Sequence, residues 1–238
     1  MINLKHPDST QGFTLTELLV SISITGIVIA MTGTGLFAIM NANQRNQVET
    51  SERLELEQAM SFITDEIKMS QQIDINPQSF KIHNFDPAFG SDKFKPILVL
   101  TPVTNSRLTD PIVYYIAIPP TQSVWEGKRV IYRWGPTLLQ NGSYSDGKGN
   151  DIATIPVDAP VEYYNEVLLD RISDTPSLAA AIDCDAGYSN PVPIVATRLG
   201  FYACVAADRK SVRLWIDKQP NSVTKSQSIN SLVVTRSN

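Results

Sequence analysis

The chain has 238 residues, with 20 Lys and Arg against 24 Asp and Glu and a formal net charge of -4. That balance lacks the basic face that neutralises phosphates, so no nucleic-acid partner is expected. Only two His (His6, His83) and two Cys (Cys184, Cys204) are present, which excludes four-cysteine and two-cysteine, two-histidine zinc sites and four-cysteine iron–sulfur clusters; no metal and no cofactor are expected.

The first predicted element is the most distinctive. Leu18–Met40 runs for 23 residues without a charge. At ~1.5 Å per residue such a helix reaches roughly 35 Å, enough to cross a bilayer core of about 30 Å. Its Ser and Thr residues are only mildly polar and are tolerated where helices pack in lipid. A cleaved secretory signal fits poorly, because the apolar run is too long, Lys5 is the only base before it, and its end lacks a small-x-small site. One acid, Glu17, stands at the start of the run. A charge in the bilayer costs about 2.5–3.5 kcal/mol on insertion scales and normally has a partner and a role, although an interfacial carboxylate among headgroups is the plainer alternative.

Gly12-Phe13-Thr14-Leu15-Thr16-Glu17-Leu18-Leu19-Val20 resembles the N-terminal signature of type IV prepilins and the pseudopilins of type II secretion. The resemblance implies a leader, residues 1–12, removed by a membrane-embedded prepilin peptidase that cuts between Gly12 and Phe13 and methylates the Phe13 amine. It implies that Glu17 directs assembly, and that residues 13–40 are a transmembrane helix that becomes the filament core. Two departures stand out: the leader's single Lys is balanced by Asp8, and the proline common near position 34 is absent, with Gly33 and Gly35 flanking Thr34 instead. Paired glycines soften a helix by roughly 1 kcal/mol each relative to Ala.

Residues 41–75 are read as the amphipathic half of the same helix. Asn41–Ile73 holds no Gly or Pro, and Leu56, Met60, Ile63 and Ile67 fall on one face, with Glu49, Glu52, Glu55, Glu57, Asp65 and Glu66 expected largely elsewhere. Together the two halves would make one helix from about Phe13 to Ile73, roughly 90 Å long and closed by Pro77. Residues 76–238 read as a β-rich head, with strands at Ile97–Thr101, Ile112–Ile118, Arg129–Trp134, Leu199–Val205, Val212–Asp217 and Leu232–Arg236. Gln140–Asp151 and Asn221–Asn230 read as loops, and Val161–Ser173 is left open between helix and strand. The fold class is therefore α+β: a long N-terminal helix, half in the membrane and half docked, against an antiparallel pilin-like sheet.

The head offers no catalytic pattern. Once the leader is gone His83 is the only His, and no nucleophile motif lies near it, so no enzyme is expected. Ser145–Asp151 looks faintly like a calcium loop but lacks the alternating acids, and Asn141-Gly142-Ser143 matches a glycosylation sequon too short to weigh much. Tyr114, Tyr115, Trp125, Tyr132 and Trp134 would serve either as a sugar-stacking surface or, where strand alternation turns them inward, as core. The family's orientation implies a periplasmic head, where Cys184 and Cys204 would pair; two separate thiols are the alternative. The resemblance implies a minor pilin or pseudopilin anchored by a single pass in the inner membrane. Its partners would be other pilin subunits, the peptidase and the inner-membrane assembly platform, and it would serve secretion or motility. Among subtypes the likeness is to the J-type pseudopilin and W-type minor pilin, and more loosely to cyanobacterial pseudopilins of hormogonium polysaccharide secretion. The rivals are a pilin-anchored glycan-binding module and a plain single-pass protein that keeps Met1–Gly12.

Overall fold

The computed structural model describes residues 12–74, 94–102, 108, 110–139, 143–145, 152, 165–174, 184, 187–189, 199–219 and 226–235. His83, Pro77, the sequon's Asn141 and the calcium-like stretch beyond Ser145 lie outside the described residues.

Helix α1 spans Leu15–Met69. Its two ends belong to different compact units, residues 1–48 and 49–238. In the first unit the apolar side chains of α1 are exposed along their whole length, and its 18-residue apolar window has none of its residues buried. In the second unit Leu56, Ala59, Met60, Ile63 and Ile67 are buried in the core. The expected helix end at Ile73 is corrected: the helix stops at Met69 and the chain passes directly into β1 (Ser70–Asp74). The Ser70 hydroxyl donates to the Ile67 carbonyl at 2.7 Å, satisfying an acceptor freed at the helix end, and Ser70 itself pairs with Pro102 across the sheet. The β head thus begins at Ser70 rather than at residue 76.

Among the described residues the second unit holds two antiparallel sheets and a small two-stranded pair. The first sheet has the order β1-β2-β3-β4-β7, with β2 at Phe94–Pro102, β3 at Ile112–Ala117, β4 at Val130–Trp134 and β7 at Asn165–Leu169. The second has the order β11-β10-β9-β8, with β8 at Tyr188–Ser189, β9 at Phe201–Ala206, β10 at Ser211–Lys218 and β11 at Gln227–Val234. The short β5 (Thr137–Leu138) and β6 (Tyr144–Ser145) pair with each other. The open stretch 161–173 therefore contains a strand. The final strand starts at Gln227, inside the expected loop, and ends at Val234 rather than Arg236.

Every residue of β3, β4 and β9 is buried, so both faces of these strands are covered and their apolar runs do not alternate. One hydrophobic cluster joins the helix stripe to Leu98, Leu100, Val113, Ile131, Phe201, Leu214 and Ile216. The sheets meet where Ser173 N donates to Asp217 O at 3.0 Å and Gly200 N to Ser173 O at 2.7 Å. Only glycine fits at this crossing, because a Cβ on Gly200 would stand 2.5 Å from the Asp217 carbonyl oxygen.

Candidate functional site

At the N-terminus Thr14 precedes the first helical residue and acts as the N-cap. Its N–H donates to Glu17 Oε2 at 3.1 Å, its hydroxyl to the same oxygen at 3.0 Å, and Glu17 N donates back to Thr14 Oγ1 at 3.4 Å. This is a capping box, in which two otherwise orphaned N–H groups are satisfied reciprocally. Glu17 also places negative charge at the positive end of the helix dipole. Phe13 and Glu17 are both exposed, and Gly12 has open space around it. The acid read from the sequence as a filament-assembly group therefore has a local partner in the single chain, which any test of its assembly role must separate out.

Along the following turns the hydroxyls are folded away into the helix. Ser21 donates to Glu17 O at 2.8 Å, Ser23 to Leu19 O at 2.9 Å, Thr25 to Ser21 O at 2.7 Å, Thr32 to Val28 O at 2.8 Å and Thr34 to Met31 O at 2.9 Å. Each polar group in the apolar run thus meets a backbone acceptor of its own helix and asks nothing of the surroundings, as a lipid-facing segment requires.

In the second unit three acids of α1 meet three bases of the β head: Glu66 with Arg133, Glu52 with Arg171, and Glu55 with Lys218 at 2.7 Å. The expectation that the helix acids lie off the apolar face is corrected for Glu52 and Glu66. Both are buried, at the two ends of the stripe that contains Leu56, Ala59 and Ile63. The deepest pair is bidentate: Arg133 Nε reaches Glu66 Oε2 at 3.0 Å and Nη2 reaches Oε1 at 2.6 Å. Two further guanidinium donors go to Gly135 O at 3.0 Å and Pro136 O at 2.8 Å, and the Phe62 ring lies 5.8 Å from the guanidinium carbon. Gly135 has φ of 149°, a conformation that L side chains rarely adopt, and a Cβ there would stand 3.2 Å from Ile112. The Tyr114 hydroxyl donates to Glu66 Oε2. Burial works against the Arg133 charge, but the adjacent Glu66 carboxylate more than offsets it and holds the guanidinium above its ordinary pKa. Burial, and then the negative Glu66, push the Tyr114 hydroxyl well above the usual tyrosine value, so it stays a donor. A satisfied buried pair of this kind adds little net stability over apolar residues but strongly penalises any packing that separates its members. The sequence signal was the spacing: Glu52 and Glu66 continue the i, i+4, i+7 stripe, and Arg133 interrupts an apolar strand.

The aromatic set divides. Tyr114, Tyr115, Tyr132 and Trp134 are buried, with Tyr115 and Tyr132 stacked at 5.2 Å. Only Trp125 is exposed, at the rim of an open groove of about 640 Å³ with Phe62, Leu168 and Arg171. Cys184 and Cys204 are joined by a disulfide, with Cα atoms 5.6 Å apart, which ties the Cys184 segment to β9. No cluster of three or more His, Cys, Asp or Glu suited to a metal occurs among the described residues.

A fold of one long helix followed by antiparallel sheets, with an apolar helix start carrying a capped acid, defines a membrane-anchored α+β protein of pilin-like architecture. The family model of the prokaryotic N-terminal methylation motif matches residues 8–33, the stretch that contains Gly12, Phe13, Glu17 and the first turns of the apolar run. No curated protein and no solved structure matches the chain. The motif supports a pilin- or pseudopilin-like subunit that is processed by prepilin peptidase, assembles with other pilin subunits and is anchored in the inner membrane.

Proposed function

We propose that the chain is a minor pilin or pseudopilin, cut between Gly12 and Phe13, methylated at Phe13 and built through Glu17 into a filament that serves secretion, of polysaccharide or other cargo, or motility. The single observation that carries this is the methylation motif at residues 8–33 leading into a helix whose apolar side chains stay exposed as far as Val48. Within the family the proposal places it with the J-type and W-type minor subunits and, beyond them, with the cyanobacterial pseudopilins of polysaccharide secretion. The chain performs no chemistry. Its head lies in the periplasm, a placement the Cys184–Cys204 disulfide supports, since such bonds persist outside the cytoplasm. Polymerisation is the mechanism. After cleavage the Phe13 amine and the Glu17 carboxylate of the next subunit neutralise each other in a medium where each alone is costly. With four of its five candidate aromatics buried, the head does not favour the glycan-binding reading.

The capping box dictates the experiment. Glu17→Gln keeps an amide oxygen for the Thr14 N–H, as a capping box allows, but removes the charge. Glu17→Leu removes both. At equal membrane abundance, crosslinking to neighbouring pilin subunits should fall at least tenfold in both variants while leader removal continues. Wild-type crosslinking in Glu17→Gln would reduce the acid to a helix cap and overturn its assembly role.

A further inference from the structure

Among the described residues, the four edges of the two larger sheets are not alike. β1 is five residues long, is bulged between Ser70 and Gln72, and is covered where Ile73 N donates to Arg209 O at 2.9 Å and Asp74 pairs with Arg209 at 3.7 Å. β7 is five residues long, pairs with β4 through a register shift, and carries the exposed Glu166. β8 has two residues. Short length, bulges and charges are the devices by which proteins keep sheet edges from pairing with other chains.

β11 has none of them. It runs for eight residues in unbroken register with β10, from Gln227 opposite Lys218 to Val234 opposite Ser211. Its sequence, Gln227-Ser228-Ile229-Asn230-Ser231-Leu232-Val233-Val234, contains no charge, no Pro and no Gly. Ser228, Asn230, Leu232 and Val234 are exposed, with Leu232 at 57 % and Val234 at 58 %. No described strand pairs with its outer side. In an antiparallel ladder alternate residues turn their N–H and C=O away from the neighbour, so β11 presents a row of donors and acceptors at strand spacing.

We propose that β11 is an augmentation edge that takes an extended, uncharged strand from a different subunit of the same filament. This rests on the filament reading above. The row of backbone groups admits only an extended polypeptide, and the absence of charge over eight residues matches a strand that is itself uncharged at the facing positions. The partner's best complement is polar opposite Ser228 and Asn230 and apolar opposite Leu232 and Val234. A second copy of β11 would give a two-fold pair that closes on itself, whereas a filament grows through contacts between unlike surfaces.

The test uses the full chain in its native membrane. A photo-crosslinker is placed by Asn230→p-benzoylphenylalanine, with Val124→p-benzoylphenylalanine as an exposed control outside the strand. The proposal expects position 230, but not 124, to label an extended segment of another pilin subunit, and Leu232→Lys with Val234→Lys to cut that product at least tenfold. Hydrogen exchange on the lysine variant, showing the β10–β11 ladder still protected, confirms that the strand itself remains. Labelling of a second copy of this chain, of its own residues, or of nothing would overturn the proposal, as would a product undiminished by the two lysines. The filament reading fails separately, by a mass on the same sample that still includes Met1–Gly12.

Discussion

Helix α1 crosses two environments, and the way its polar groups are satisfied differs between them. From Leu15 to Val48 its hydroxyls bond back to their own helix, and its one acid near the apolar run is held by Thr14 beside it. From Glu49 to Met69 three of its acids reach bases far along the chain, Glu52 to Arg171 just past β7, Glu55 to Lys218 on β10 and Glu66 to Arg133 on β4, while Glu57 and Asp65 pair within the helix with Arg53 and Lys68. The first half is self-sufficient because lipid offers no partner. The second half is committed to one packing, because a buried carboxylate left without its base is costly. The same element thus serves as a portable anchor at one end and as a fixed spine of the head at the other.

The sharpest way to break this contrast is Arg133→Leu, which leaves the Glu66 carboxylate in the core without its base and with the Tyr114 hydroxyl still donating to it. Removing one member of a buried pair typically costs about 3–5 kcal/mol, so the head should unfold at markedly lower denaturant. Leader removal should stay normal. Equal stability of the variant and wild type in chemical denaturation would show that the pair is not buried as described. A double replacement, Glu66→Leu with Arg133→Leu, should recover part of the loss, the buried Tyr114 hydroxyl then lacking its acceptor.

The disulfide comes next. It closes a separation of 20 residues, a loop worth roughly 3 kcal/mol in the chain-entropy model. Cys184→Ser should lower the denaturation midpoint of the head without changing membrane extraction, read by circular dichroism and detergent partition. An unchanged midpoint would mean the Cys184 segment contributes nothing to the folded head.

A smaller effect should appear in alkali. Burial raises the Tyr114, Tyr115, Tyr132 and Tyr144 hydroxyls above their ordinary value of 10.0. Above that pH the unfolded chain loses these protons while the folded chain keeps them, so the unfolded state binds fewer protons and stability falls as pH rises. The contribution is complete below pH ~10 and declines as the pH climbs toward the raised folded values. Denaturation midpoints on either side of pH ~10 should show this slope, and Tyr115→Phe should lessen it.

Sequence reading reached the parts governed by local pattern. The uncharged run of Leu18–Met40, the stripe of Leu56, Met60, Ile63 and Ile67, and the apolar runs that became β3, β4 and β9 each carry their signal within a few residues. What it missed depends on partners far along the chain. Glu66 looks like a solvated helix acid until Arg133, 67 residues away, is beside it. Ser70–Asp74 looks like a helix end until Leu100 and Val99 pair with it. Gln227–Asn230 is polar enough to pass for a loop, and only its register with β10 makes it a strand. At the candidate site the motif residues were legible because they are contiguous, whereas the capping role of Glu17 lay in the Thr14-x-x-Glu17 spacing and went unread.

Whether the exposed apolar half of α1 belongs to a processed filament subunit is read most directly from the intact mass of the protein isolated from its own membrane. The expected chain begins at Phe13, shorter than the translated sequence by Met1–Gly12 and carrying one added methyl group. A mass that includes Met1–Gly12, in cells whose prepilin peptidase is active, would contradict it.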